Sequence, residues 1–326
     1  MHLAIDESRH AQGKSSPNPP VGAIILAADG TIVGRGHTQP PGGPHAEVMA
    51  LADAGSAARG GTAVVTLEPC DHTGRTGPCS KALIDAGISA VYFASDDPNP
   101  AAAGGARTLR DAGVAVAGGV EASAAAAGPL RAWLFRQRHG RPFVTAKLAS
   151  TLDGRIAAPD GTSQWITGEP ARARAHRQRA ALDAIVVGTG TVIRDDPALT
   201  ARYDDGRLRP HQPTRVVMGL RDIPSGARVT DDCAPLRHVR THDPADVLEA
   251  LRDFLWVLVE GGPAIIGAFL AAGLVDEIEA YLAPVILGAG ASSVDIAGAH
   301  TLTDARRFSL TAVETLGDDV VLRLSR

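Results

Sequence analysis

One imidazole, one carboxylate and two thiols at fixed spacing constrain this chain more than any other feature. His45-Ala46-Glu47 is followed 25 residues later by Pro69-Cys70, and Cys79 comes after the insert DHTGRTGP. One nitrogen and two sulfurs suit Zn²⁺ and leave its fourth position open for water. His45 reads as the start of a helix, Cys70 as the end of a strand and Cys79 as the start of the next helix. The local sequence agrees. PHAEVMALADAG and PCSKALIDAG each begin with Pro and close on Gly, and TAVVTLEPC reads as a strand between them. Helix starts carry the positive dipole end, which favours a thiolate.

Zinc lowers the pKa of a bound water toward ~7. Glu47, two residues from His45, is placed to take that water's proton and deliver it to leaving ammonia. His-x-Glu followed by Pro-Cys-x-x-Cys is the pattern of zinc base deaminases. Here the cysteines are separated by eight residues rather than two. The competing reading is a structural zinc site, although such sites usually recruit four protein ligands.

Charge narrows the substrate. Net charge is −4 over 326 residues, and neither side of Gly140 carries a basic excess. That argues against a partner as anionic as a nucleic acid. No apolar run approaches the ~18–20 residues of a membrane span, and the start, MHLAIDESRHAQG, lacks a signal-peptide pattern. A cytoplasmic protein without membrane partners is expected. Three cysteines, an odd count, argue against a disulfide framework. Cys233 lies in a polar loop and receives no role.

The first part reads β-β-α-β-α-β-α-β, a sheet with helices on its faces. An Ala-rich then basic stretch ends at Gly140-Arg141-Pro142, placing a boundary between domains 1–140 and 141–326. In the second part PFVTAKLAS, DAIVVGTG, PTRVVMGL, WVLVEGG and EIEAYLAPVILG are apolar strands, and the tail is a hairpin. Helices are expected at 169–182, 244–253 and 263–273. Gly188-Thr189-Gly190 lacks the third glycine of a dinucleotide fingerprint, since Ile193 stands there. Gly261-Gly262-Pro263, between a buried strand and a helix, is the better pyrophosphate cradle. The arginines of helix 171–182 are expected mostly on a solvated face.

Taken in order, Pro17-Asn18-Pro19-Pro20-Val21-Gly22, His45-Ala46-Glu47, Thr66-Leu67-Glu68-Pro69-Cys70, Cys79 and Asp97-Pro98-Asn99-Pro100 resemble the deaminase half of the bifunctional riboflavin-biosynthesis proteins of the RibD type. The long Cys-to-Cys spacing belongs to that family. Lys147–Ile156, Ser163–Thr167, Gly190-Thr191-Val192, Asp195–Thr200 and Val259-Glu260-Gly261-Gly262 resemble its reductase half. The resemblance implies a cytidine-deaminase-like α/β/α domain followed by a dihydrofolate-reductase-like α/β domain. It implies deamination of 2,5-diamino-6-ribosylamino-4(3H)-pyrimidinone 5′-phosphate, then NADPH-dependent reduction of its ribosyl group to ribityl.

By the same resemblance Asn18, His72, Arg75, Asp97 and Asn99 contact the deaminase substrate. Arg75 stands where many members have Lys. Lys147, Ser163, Arg179, Leu199, Arg202 and Glu260 face the reductase substrate. Ala149, Trp165, Thr191, Asp195, Gly261 and Gly262 line the cofactor. Read as residues alone, Asn18 and Asn99 are also ordinary turn residues, Asp97 a cap and Trp165 a core side chain. The family forms dimers or larger assemblies, and the apolar strands near 278–287 and 319–324 are the expected interface. Two other functions remain open at this point: a small-base deaminase fused to an inactive reductase-like domain, and a non-catalytic zinc and dinucleotide sensor.

Overall fold

The computed structural model describes residues 1–73, 77–298 and 300–326. The chain divides into two compact units, Met1–Gly140 and Arg141–Arg326.

The first unit opens with helix α1 (His2–Ser8), then strands β1 (Gly22–Leu26) and β2 (Ile32–His37), joined through the turn at Asp29-Gly30. Helix α2 (Ala46–Ala54), β3 (Thr62–Leu67), α3 (Cys79–Asp85), β4 (Ala90–Ser95), α4 (Gly105–Asp111) and β5 (Ala115–Ala117) follow, then α5 (Ala122–Ala127) and α6 (Arg131–His139). The sheet order is β2-β1-β3-β4-β5. β1 runs antiparallel to β2 and β3, whereas β3, β4 and β5 are parallel. The alternation read from the sequence is therefore present. The Ala-rich and basic stretch, read only as a boundary, forms α5 and α6, with Leu130, Trp133 and Leu134 buried beneath it.

α2 sits unusually close to β2. A Cβ on Gly36 would lie 2.3 Å from the Ala46 carbonyl oxygen. Only glycine permits that approach, and it fixes the helix start that carries His45 and Glu47.

The second unit contains β6 (Phe143–Thr151), β7 (Arg155–Ala157), α7 (Glu169–Arg179), β8 (Ala184–Gly188), α8 (Thr189–Asp195), β9 (Thr214–Met218), β10 (Leu236–Val239), α9 (Pro244–Ala250) and β11 (Trp256–Gly261). α10 (Pro263–Ala271), β12 (Glu277–Ala283), β13 (Ala291–Ser292), β14 (Ser309–Leu316) and β15 (Asp319–Ser325) complete it. The main sheet runs β10-β9-β8-β11-β6-β12-β15-β14. Its first six strands are parallel, and the β14–β15 hairpin closes the other edge. The chain passes from β6 outward to β8, β9 and β10, then returns to lay β11 between β8 and β6. The carboxyl ends of β6, β8 and β11 therefore gather at a switch in strand order, where open α/β sheets bind ligands. Apolar residues cover both sheet faces, Val144, Val186 and Phe269 on one and Ile185, Val187 and Val217 on the other.

Several expectations need correction. β12 ends at Ala283 rather than near 288, because Pro284 has no N–H for the ladder. β12 is also hydrogen-bonded on both sides by β6 and β15, and its residues are largely buried within this unit, which leaves the exposed part of the expected interface stretch at 285–287. The exposed apolar side chains nearby are Val285, Ile286, Leu287, Leu310 and Val313. The arginines of α7 are not a solvated face. Arg174 pairs with Glu279 and Glu314 at 2.7 Å each, and Arg179 pairs with Glu260. Only Arg177 among them is exposed. Finally, Gly188 does precede a helix. α8 runs seven residues and stops at Asp195, before Pro197. Among the described residues no helix is long and apolar enough to cross a membrane.

Candidate active sites

The first site forms where β3 and β4 end and α2 and α3 begin. His45 is the N-cap of α2, in extended conformation, and Cys79 is the first residue of α3. Cys70 lies just past β3. Their ligand atoms all fall within 4.8 Å of one another. His45 Nδ1 lies 3.3 Å from Cys79 Sγ and 3.5 Å from Cys70 Sγ. A tetrahedral zinc with usual bond lengths would place nitrogen and sulfur roughly 3.6 Å apart, so the donor set fits the ion. A hydrogen bond from Cys79, reinforced by His45, holds the Cys70 thiol well below its ordinary value.

Glu47 is buried at 4% exposure on the first turn of α2. Burial pushes its carboxyl up to about 7, and the neighbouring Cys70 adds to the rise. A carboxyl near neutrality can both take and return a proton.

A cavity of about 210 Å³ opens over these groups. Asn18, His72, Asp97 and Asn99 all line it, together with Glu68, Trp133 and Gln137. Arg75 lies outside the described residues. The turn roles considered for Asp97 and Asn99 are real. Asp97 accepts from the Asn99 N–H at 2.8 Å, and Asn99 accepts from the Ala101 N–H at 3.1 Å. Both residues still face the cavity. Glu68 secures this loop by accepting from the N–H groups of Gly104, Ala106 and Asp97.

The second site is a trough at the carboxyl ends of β6, β8 and β11. It has two overlapping lobes, of about 860 and 620 Å³. One is lined by Thr191, Gly261 and Gly262, the other by Trp165, Arg179, Leu199 and Arg202. Lys147, Ala149, Ser163, Asp195 and Glu260 line both. Every reductase residue named from the sequence thus faces one trough. Trp165 is not core, being 70% exposed, with Arg172 4.8 Å from its ring. It lines the lobe of Arg179 rather than that of the paired glycines.

Glu260 is the electrostatic centre. It accepts from Lys147 Nζ at 2.8 Å and from Arg179 at 2.7 and 2.9 Å. Burial opposes its charge, but the two cations win and hold its carboxyl well below the usual range.

Gly262 has φ +75°, and a Cβ there would sit 3.2 Å from Thr191 Oγ1. That bare backbone at the start of α10 is a cradle suited to a phosphate. An adjoining recess collects Gly188, Gly190 and Gly262 with Arg194, Arg221 and His242. The starts of α8 and α10 face the same recess, so the expected contrast between the two glycine segments is one of degree. The size and bare backbone of the trough fit a dinucleotide. Sequence reasoning missed Trp133, Gln137, Arg194, Arg221 and His242. None belongs to a local motif, and only folding carries them to the cavities.

Residues 142–322 match the RibD C-terminal domain model, and residues 1–95 match the cytidine and deoxycytidylate deaminase zinc-binding region. The riboflavin biosynthesis protein RibD of Mycobacterium tuberculosis is 53% identical over 99% of this chain and 96% of its own length. That of Escherichia coli is 38% identical over 99% and 98%. The solved structure of Acinetobacter baumannii RibD, form 1, superposes with TM-score 0.88 at 35% identity, covering 99% of this chain and 97% of that one. The Thermotoga maritima diaminohydroxyphosphoribosylaminopyrimidine deaminase/5-amino-6-(5-phosphoribosylamino)uracil reductase gives 0.88 at 32%, covering 100% and 97%. With two matched domains and relatives similar along its whole length, this chain belongs to the RibD family and is a bifunctional deaminase and reductase of riboflavin biosynthesis that uses zinc and NADPH.

Proposed function

We propose that the first unit hydrolyses the 2-amino group of 2,5-diamino-6-ribosylamino-4(3H)-pyrimidinone 5′-phosphate, releasing ammonia and leaving the aminouracil. The second unit then reduces the ribosyl group to ribityl with NADPH. The observation that carries the reading is the pairing of two sites in one chain: a buried Glu47 beside a His-Cys-Cys set, and a trough centred on Lys147 and Glu260.

His45, Cys70 and Cys79 hold the zinc. A bound zinc would supply an acidified water as the nucleophile. Glu47 takes a proton there and returns it to the departing nitrogen. Asn18, His72, Asp97 and Asn99 orient the pyrimidinone, and Arg75 contributes the positive charge that the family places in the insert.

In the second unit NADPH supplies the hydride. Gly261, Gly262 and Thr191 seat its pyrophosphate, Ala149 and Asp195, which line both lobes, and Trp165, which lines the Arg179 lobe, contact the part nearer the substrate, and Arg194 and Arg221, with His242 beside them, suit its further phosphate. Arg179, Arg202, Ser163 and Leu199 hold the phosphorylated substrate. Residues shared by both lobes mark where cofactor and substrate meet. Lys147 is the only cation among them, and it supplies the proton that accompanies the hydride.

Incubating the pure protein with the diaminopyrimidinone, with and without NADPH, tests the reading. Ammonia and the ribosylaminouracil should form without NADPH, and the ribitylaminouracil only with it. Absence of ammonia release would sink the deaminase assignment.

A further inference from the structure

Helix α6 lies beyond the matched zinc-binding region, residues 1–95, yet it walls the deaminase cavity through Trp133 and Gln137. Four residues apart, they share one helix face. Trp133 is 3% exposed, and Gln137 is exposed. Depth and mouth of the cavity are therefore lined by successive turns of one helix.

Four other wall groups are engaged in the fold. Glu68 is engaged by three backbone N–H groups, and Asp97 and Asn99 each accept one within their own loop. Thr38 Oγ1 accepts from the Val21 N–H at 3.0 Å. The Trp133 indole N–H and the Gln137 amide have no hydrogen-bond partner among the described residues, and the same is true of the Asn18 and His72 side chains. Neither group is sealed off: the indole nitrogen is not among the buried partnerless atoms and the Gln137 amide is exposed, so both are open to a ligand in the cavity. A tryptophan N–H can only donate, and a glutamine amide both donates and accepts. The pyrimidinone offers what they lack, a ring carbonyl acceptor and amino donors.

We propose that α6 is the base-reading wall of the deaminase: the Trp133 indole N–H donates to the 4-oxo oxygen of the pyrimidinone, and the Gln137 amide contacts its polar substituents at the cavity mouth. This rests on the deaminase reading above. The two side chains bind and orient substrate and take no part in proton movement. Their loss should act on KM more than on kcat.

Trp133→Phe keeps the aromatic volume and removes the donor. Gln137→Ala changes an exposed position. Each should raise the KM for the diaminopyrimidinone by about tenfold, the usual scale of one lost hydrogen bond. Zinc content and reduction of the deaminated intermediate should be unchanged, and Gln137→Glu should not restore the parent KM. Both variants retaining a KM within about twofold of the parent's would overturn the proposal. So would a Trp133→Phe protein that loses zinc while Gln137→Ala behaves as the parent, since Trp133 would then be only structural. A parent protein that releases no ammonia would instead overturn the deaminase reading itself.

Discussion

Lys147 Nζ donates to Glu260 Oε1 at 2.8 Å, joining the central strand β6 to the strand beside it at the point where the two lobes of the reductase trough meet. Arg179, from α7, completes the group. Three elements are tied together by one buried carboxylate.

Glu260→Gln should therefore damage both reduction and stability. It leaves Lys147 and Arg179 facing an uncharged amide, and breaking a buried pair costs about 3–5 kcal/mol. Because the carboxyl is held below its ordinary range, its contribution is complete above the unfolded value of about 4.3. It is lost progressively as the pH falls below that value. Unfolding of parent and variant measured across that interval should converge in acid. Reduction should fall by at least about tenfold, with ammonia release unaffected.

Glu47→Gln should keep zinc and fold but lose about 10²–10⁴-fold in deamination, the range for a positioned proton carrier. Reduction of the separately supplied deaminated intermediate should be untouched. Equal loss of both activities would contradict two independent sites.

Cys70→Ser and Cys79→Ser should each abolish stoichiometric zinc and deamination together. Metal analysis of protein purified without chelator is the direct measurement. Full zinc in either variant would remove that thiol from the ligand set.

Gly262→Val places a branched side chain at φ +75° and 3.2 Å from Thr191 Oγ1. Reduction should be lost, and NADPH binding by calorimetry should vanish with it. Gly188 makes a different demand. A Cβ there would meet Ile265 Cγ1 at 2.8 Å, so substitution should disturb the packing of β8 on α10 and lower the melting temperature.

The chain is proposed to self-associate through the exposed rim of the second unit. β14 is the edge strand, exposed along nearly its whole length, and Leu310 and Val313 are each 58% exposed. Sedimentation at micromolar concentration should give a mass above 33.6 kDa. Leu310→Lys with Val313→Lys should shift it toward the monomer.

The sequence by itself determined the His-Cys-Cys set and the glutamate buried beside it. His45, Glu47, Cys70 and Cys79 sit at helix starts and a strand end, where Pro, Gly and alternating apolar residues announce local geometry. It also pointed to Gly261-Gly262 as a phosphate cradle, because a backbone that must approach a phosphate excludes side chains, but it did not show that Gly188 and Gly190 face the same recess. Only the tertiary structure decided which arginines of α7 are held by carboxylates. Arg174, Arg177 and Arg179 lie on one short helix and look alike in sequence, yet two reach buried carboxylates on strands 80 or more residues away. The same holds for Trp133 and Gln137, and for β12, whose apolar run resembled an interface and proved largely buried within its own unit. Local signals specify what a segment can become. Which long-range partner meets it depends on strand order, and no short window of sequence contains that.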